Sequence, residues 1–242
     1  MGDMRVRIER KGVQRTLATA VAVLLALDLA RIALRYGAGV TQYQLTLVNV
    51  TWEGNLPTWF STMLLAASAA LLFVIARVKM ARRDRYRWHW AVLGAGFAAM
   101  SLDEAASIHE GLNALIRQTG AFDDRLAYPW VVAAMPFVGV VGIAFLPFLR
   151  SLDATTRRSF VTSAALYVGG AVGVETLWSA YVVTASLSSV GSQLLRNLTE
   201  GLEMAGAVLF IGALVGCLAR DPGRPGLSFA DDRSDRHSPP DA

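Results

Sequence analysis

A single cysteine, Cys217, lies inside an apolar run of this 242-residue chain. That excludes an intrachain disulfide, a CxxC metal site and a thiol redox pair. Alone, Cys217 reads as a small packing residue. Histidine is nearly as scarce: His89, His109 and His237 are the only three. Charge is sparse as well, at 17% of residues, where soluble proteins carry about a quarter. There is no HExxH, GxSxG or Walker A sequence, which excludes those forms of metalloprotease, serine hydrolase and nucleotide chemistry. No period typical of helical repeats recurs along the chain. The apolar stretch from Leu17 to Leu34 is too long for the core of a cleavable leader and reads as an uncleaved first span.

What the chain does have is apolar length. Hydrophobic residues make up 54% of it, gathered in long runs. A membrane-spanning helix needs about 20 such residues. Six segments qualify, at about 16–36, 57–78, 88–109, 129–149, 159–182 and 198–218. The expected fold class is therefore all-α: a polytopic membrane protein with six transmembrane helices between residues 16 and 219.

Basic residues orient these spans. Residues 1–15 hold Arg5, Arg7, Arg10, Lys11 and Arg15, and the 77–87 connection holds Arg77, Lys79, Arg82, Arg83, Arg85 and Arg87. Arg150, Arg157 and Arg158 flank the next connection on that side, and four arginines follow from Arg220. The alternate loops are poor in Lys and Arg. The positive-inside rule then puts both termini in the cytoplasm of a plasma (inner) membrane. The net charge of +4 forms no single stripe, which argues against nucleic-acid binding. Trp59, Trp130 and Trp178 are expected at the outer interface, Trp88 and Trp90 at the inner one. The tail, 220–242, is rich in Pro, Gly, Asp and Ser and is expected to be disordered. Outer loop 37–56 contains the β-prone "TQYQLTLVNVTW", read as a hairpin or flap. Its "NVT" is a glycosylation acceptor only in a secretory-pathway protein.

Placed on the oriented spans, the ionisable residues gather at one depth. Asp103, Glu104, His109 and Glu110 fall in the outer part of span three, with Asp103, Ser107 and Glu110 on one helical face. Glu175 lies in span five beside Trp178, and Glu200 and Glu203 open span six. Asp28 and Arg31, spaced i, i+3 in span one, read as an ion pair. A charge in hydrocarbon costs about 2.5–3.5 kcal/mol, so such groups face protein or a wet cavity. Taken singly, each acid also fits a solvated helix end, with Glu200 and Glu203 favoured by a helix N-terminus. Taken together, Asp103, Glu104, Ser107, His109, Glu110, Glu175, Glu200 and Glu203 are expected to line one site. Carboxylates with one imidazole suit a divalent metal ion, and Asp103, His109, Glu110, Glu175, Glu200 and Glu203 are its candidate ligands.

The segments "LDEAASIHE" and "EGLEMAGAVLF", Leu102–Glu110 and Glu200–Phe210, resemble a motif pair in a group of uncharacterised bacterial multipass membrane proteins. There an "LDE…HE" third span accompanies a late "E..EM.G" span. The resemblance implies a site shared by the two helices and assigns no reaction. Zinc-dependent membrane hydrolases of the alkaline ceramidase type carry an HxxxH pair that this chain lacks.

Three functions remain open at this stage. One is an outward-facing site for a divalent cation or protons, with or without transport. The second is a metal-dependent membrane enzyme acting on a lipid-linked or periplasmic substrate. The third is a non-catalytic subunit whose acids pair with a partner. Expected partners are membrane lipids and either another membrane protein or a second copy of the chain.

Overall fold

The computed structural model describes residues 6–40, 42–120, 127–220 and 227–230. These are mainly helical, with connecting turns and two four-residue strands. The helices are α1 (Arg10–Ala38), α2 (Leu56–Ala81), α3 (Arg87–Ala106), α4 (Ile108–Gln118), α5 (Trp130–Ser151), α6 (Ala154–Val168), α7 (Glu175–Thr184) and α8 (Val190–Ala219). Strands β1 (Val6–Glu9) and β2 (Leu227–Ala230) pair in parallel, in register Val6 to Leu227. Five helical stretches are long and apolar enough to cross a membrane, or six if the bent pair α3–α4 counts as one span. Within the tail expected to be disordered, 227–230 instead form β2; residues 221–226 and 231–242, like 1–5 of the basic N-terminus, lie outside the described residues.

Side-chain caps set several helix ends. Asn55 Oδ1 accepts from Thr58 N at 3.2 Å and starts α2, with Pro57 in its first turn. Asp153 accepts from Thr155 N and Thr156 N at 3.1 and 3.0 Å and starts α6. Ser189 caps α8. Because α8 begins at Val190, Glu200 and Glu203 sit about three turns inside it and not at its mouth. The helix-end reading of these two acids is thereby corrected.

The bundle is built around α8. Of its most apolar window 67% is buried, against 11% for α5. Met204, Val208, Ile211 and Val215 of α8 pack on Val21 of α1 and Leu64 of α2. Phe210, Leu214 and Leu218 pack on Leu72 and Ile75 of α2, Trp90 of α3, Phe148 of α5 and Phe160 of α6. Two glycines let α8 and its neighbour touch backbone to backbone. A Cβ on Gly206 would lie 2.8 Å from Ser163 O and Tyr167 N, and one on Gly170 would lie 2.8 Å from Thr199 O. Such small-residue contacts drive helix association where lipid removes the hydrophobic advantage. Outward-facing Phe137, Val140 and Ile143 of α5, 66–74% exposed, suit a lipid environment.

Two irregularities shape the outer end. Span three, expected as one helix over 88–109, breaks at Ser107, whose φ of 54° is left-handed, and α4 departs at 80°. A non-glycine residue there costs about 1–2 kcal/mol. Asp103 offsets this cost, because its Oδ1 accepts from His109 N at 2.7 Å and so satisfies a free N–H in the first turn of α4. The break leaves Ile108, Leu112 and Leu115 exposed at i, i+4, i+7 on α4, an apolar stripe for the membrane surface. The second irregularity joins α6 to α7. Gly169–Val174 is a π-helical segment, and it delivers Glu175 and Trp178 to the interior.

The outer loop does not form the expected hairpin. Gln42–Val48 is a 3-10 helix, followed by turns tied together by asparagines. Asn55 Nδ2 donates to Asn49 O and to Trp52 O at 2.6 Å each, and Val50 N donates to Asp28 Oδ1. Asn49 of the "NVT" triplet is fully buried and accepts from Thr51 N, which rules it out as a surface glycan acceptor in this fold.

Candidate functional site

The loop and the helix ends enclose two adjoining cavities. The inner one, about 330 Å³, is lined by Asp103, Glu104, His109, Glu175, Glu200 and Glu203 among others. The outer one, about 300 Å³, takes in Glu110, Tyr128, Trp178 and Gln193. Trp52, His109, Trp130, Glu175 and Arg196 line both, so the two form one chamber with its mouth at the outer loop. Seven of the eight residues expected from sequence thus meet here. Ser107 lines neither cavity; it makes the backbone break after which His109 and the exposed Glu110 line them.

His109 is the pivot of the mouth. Its Nδ1 lies 3.1 Å from Asp103 Oδ2, and its Nε2 lies 3.4 Å from Glu53 Oε1. Its ring sits 5.1 Å from that of Trp130. Among the described residues, Glu53, His109 and Glu110 form the group whose ligand atoms all lie within 4.8 Å of one another. Asp103 stands behind His109 rather than beside it. This is the arrangement in which a carboxylate fixes the tautomer of a metal-ligating imidazole and frees Nε2 to coordinate. The buried Glu53 Oε2 and Trp130 Nε1 have no hydrogen-bond partner among the described residues. Burial pushes the Glu53 carboxyl above its ordinary pKa; Glu110 and Asp103 push the same way, while His109 and Arg196 oppose them.

Deeper in the chamber the expected ligands divide. Arg196 Nη1 donates to Glu175 Oε2 at 2.6 Å and Nη2 donates to Glu200 Oε1 at 3.0 Å. Its guanidinium lies 4.9 Å from the Trp178 ring centre. Trp178 Nε1 in turn donates to Ser192 Oγ at 2.8 Å. Glu175 and Glu200 therefore already have a cation, and the anticipated six-residue ligand set reduces to His109 and Glu110, joined by Glu53. Glu104 and Glu203 line the inner cavity beyond this pair. Trp130 and Trp178, expected to anchor in the outer lipid interface, line the chamber, and Trp90 is buried in the core.

Asp28 and Arg31 stand outside the chamber, as a tie between elements. Arg31 Nε donates to Asp28 Oδ1 at 2.7 Å and Arg31 Nη2 donates to Gln193 Oε1 at 2.7 Å. Asn197 Nδ2 donates to Asp28 Oδ2 at 2.9 Å. This network joins α1 to α8 and, through Val50 N, to the outer loop.

Sequence reading missed Glu53 and Arg196. Glu53 is an acid in a polar loop, where solvation is the ordinary expectation. Arg196 carries a usable signal, its i, i+4 spacing to Glu200. No curated protein and no solved structure matches the chain. One family profile spans residues 16–218, from the first helix to the last, and the chain belongs to that family, described as a domain of unknown function, DUF8692.

Proposed function

We propose that this is a multipass inner-membrane protein, with both termini cytoplasmic, that holds a divalent cation on Glu53, His109 and Glu110 and uses it on a membrane-derived substrate in an outward-facing chamber. The observation that carries this reading is the imidazole of His109, held by Asp103 at Nδ1, with Glu53 Oε1 3.4 Å from Nε2 and Glu110 in the same close group. The orphaned Glu53 Oε2 adds to it, since a buried carboxylate oxygen without a donor calls for a cation or a proton. A mixed His/carboxylate set suits zinc, manganese or iron by ligand type. Such an ion supplies Lewis-acid polarisation and a nucleophilic water at neutral pH. Glu104 and Glu203, lining the adjoining cavity, are placed to give or take a proton. The orientation rests on the alternation of basic loops and on β1 pairing with β2, which brings the two ends of the chain together.

Chemistry in place is favoured over transport. Below the chamber the groove between α3, α5, α6 and α8 presents apolar surface and offers a conducted ion no polar path onward. Element analysis of protein purified without chelators tests the reading. About one zinc, manganese or iron per chain is expected, falling at least tenfold in His109→Ala and Glu53→Gln and persisting in Glu203→Gln. Metal at background in the wild type, or unchanged in His109→Ala, overturns it. Proteoliposomes should show no flux of the bound ion down its gradient; sustained flux would replace the enzyme reading with a carrier.

A further inference from the structure

The chamber does not end at Glu104 and Glu203. It continues into an apolar groove of about 260 Å³ between α3, α5, α6 and α8. Met100, Tyr167 and Val168 line both spaces and mark the junction. From the junction the groove follows α3 down to Leu93, a run of about 10 Å at 1.5 Å per residue, or roughly a third of the hydrocarbon core. Its surface is apolar, while the chamber above it is lined by Glu104, Glu203 and the other acids of the site. Few other molecules match such a division. A soluble periplasmic substrate gains nothing from the groove, and a metal ion cannot use it.

We infer that the substrate of the cation site is a membrane lipid, with one hydrocarbon chain lying in the groove between α3 and α5 and its polar end in the chamber beside Glu104 and Glu203. The inference rests on the proposed function for the word substrate, and on the groove alone for the lipid. The lateral opening fits a ligand that arrives from the bilayer. α5 is the least buried of the long helices, and Gly142, on its groove side, has no atom within 4 Å of where a Cβ would sit. Excess carboxylate in the chamber favours a polar end that bears hydroxyl or amino donors.

Gly142→Phe fills the groove without touching the chamber. Gly139→Phe, on the same helix, also has open space for its side chain and lines neither the groove nor the chamber, so it serves as the matched control. The full chain is reconstituted in phosphatidylethanolamine/phosphatidylglycerol vesicles carrying a small fraction of a phosphatidylethanolamine with a mid-chain diazirine. After irradiation, adducts are expected on Phe97, Met100 and Phe145. They should fall at least fivefold in Gly142→Phe and persist in Gly139→Phe. Metal content, measured on the same samples, should be unchanged in both variants. Equal labelling of these residues in wild type and Gly142→Phe, or adducts confined to Val140 and Ile143 on the outer face, overturns the lipid site. Loss of metal in the wild type with the groove adducts retained overturns the cation reading and leaves the lipid site standing.

Discussion

Arg196 sets the charge balance of the chamber. It is the cation that Glu175 and Glu200 share, and Glu175 is only 5% exposed. Removing one partner of a buried ion pair leaves the other desolvated and alone, at a cost of about 3–5 kcal/mol. Arg196→Met is therefore expected to lower stability by about 3 kcal/mol, and adding Glu175→Gln should recover much of that. Thermal unfolding in detergent, followed by circular dichroism, reads both. If the double variant is as unstable as the sum of the two single variants, the pair is not coupled as drawn. At this scale the sequence was legible in part. Asp103, Glu104, His109, Glu110, Glu175, Glu200 and Glu203 stood out because charge in an apolar run is expensive. Glu53 did not, because a loop acid is cheap in water and nothing local says that Asn49 and Asn55 fold its turn inward.

Among the elements, the contact of α6 with α8 is the most demanding. Gly206 allows the two backbones to meet, and a methyl group there has no room. Gly206→Ala is expected to cost about 1–3 kcal/mol through overpacking, despite the better helix propensity of alanine. Gly142→Ala, in open space, should stay within about 0.5 kcal/mol of wild type. Comparing the two melting curves checks this, and equal curves would remove the close contact from the account. Helix existence was readable from apolar length, and the spans expected at 57–78 and 129–149 match α2 and α5 closely. Interruptions were not. The break at Ser107 has neither glycine nor proline to announce it, because Asp103 stabilises it from four residues away, with His109 as the group it holds. The π segment at Gly169–Val174 carries three glycines, but glycines in apolar helices more commonly serve close packing and so do not announce it.

At the scale of the whole molecule, the prediction concerns orientation. With Cys217 replaced by alanine, a single cysteine at Leu187, 51% exposed in the α7–α8 connection, should react with an impermeant maleimide from outside intact cells. One at Asp84, in the α2–α3 turn, should react only after the membrane is opened. The reverse pattern would invert the topology and turn the chamber to the cytoplasm. The same experiment tests the crossing by α3–α4, since an even number of crossings is needed to place β1 and β2 on one side.

Composition and run length by themselves determined that the chain is helical, with stretches long and apolar enough to cross a membrane and acids gathered near one end of them, because the cost of placing polar groups in lipid acts on each segment separately. The hydrophobic length of a span needs no partner to be recognised. The tertiary structure alone decided which acids are neutralised by Arg196, which face the imidazole, and that a loop glutamate completes the group. The last of these depends on a distance of a few ångströms between Glu53 and His109, on segments more than 40 residues apart, and no local property of either segment encodes it.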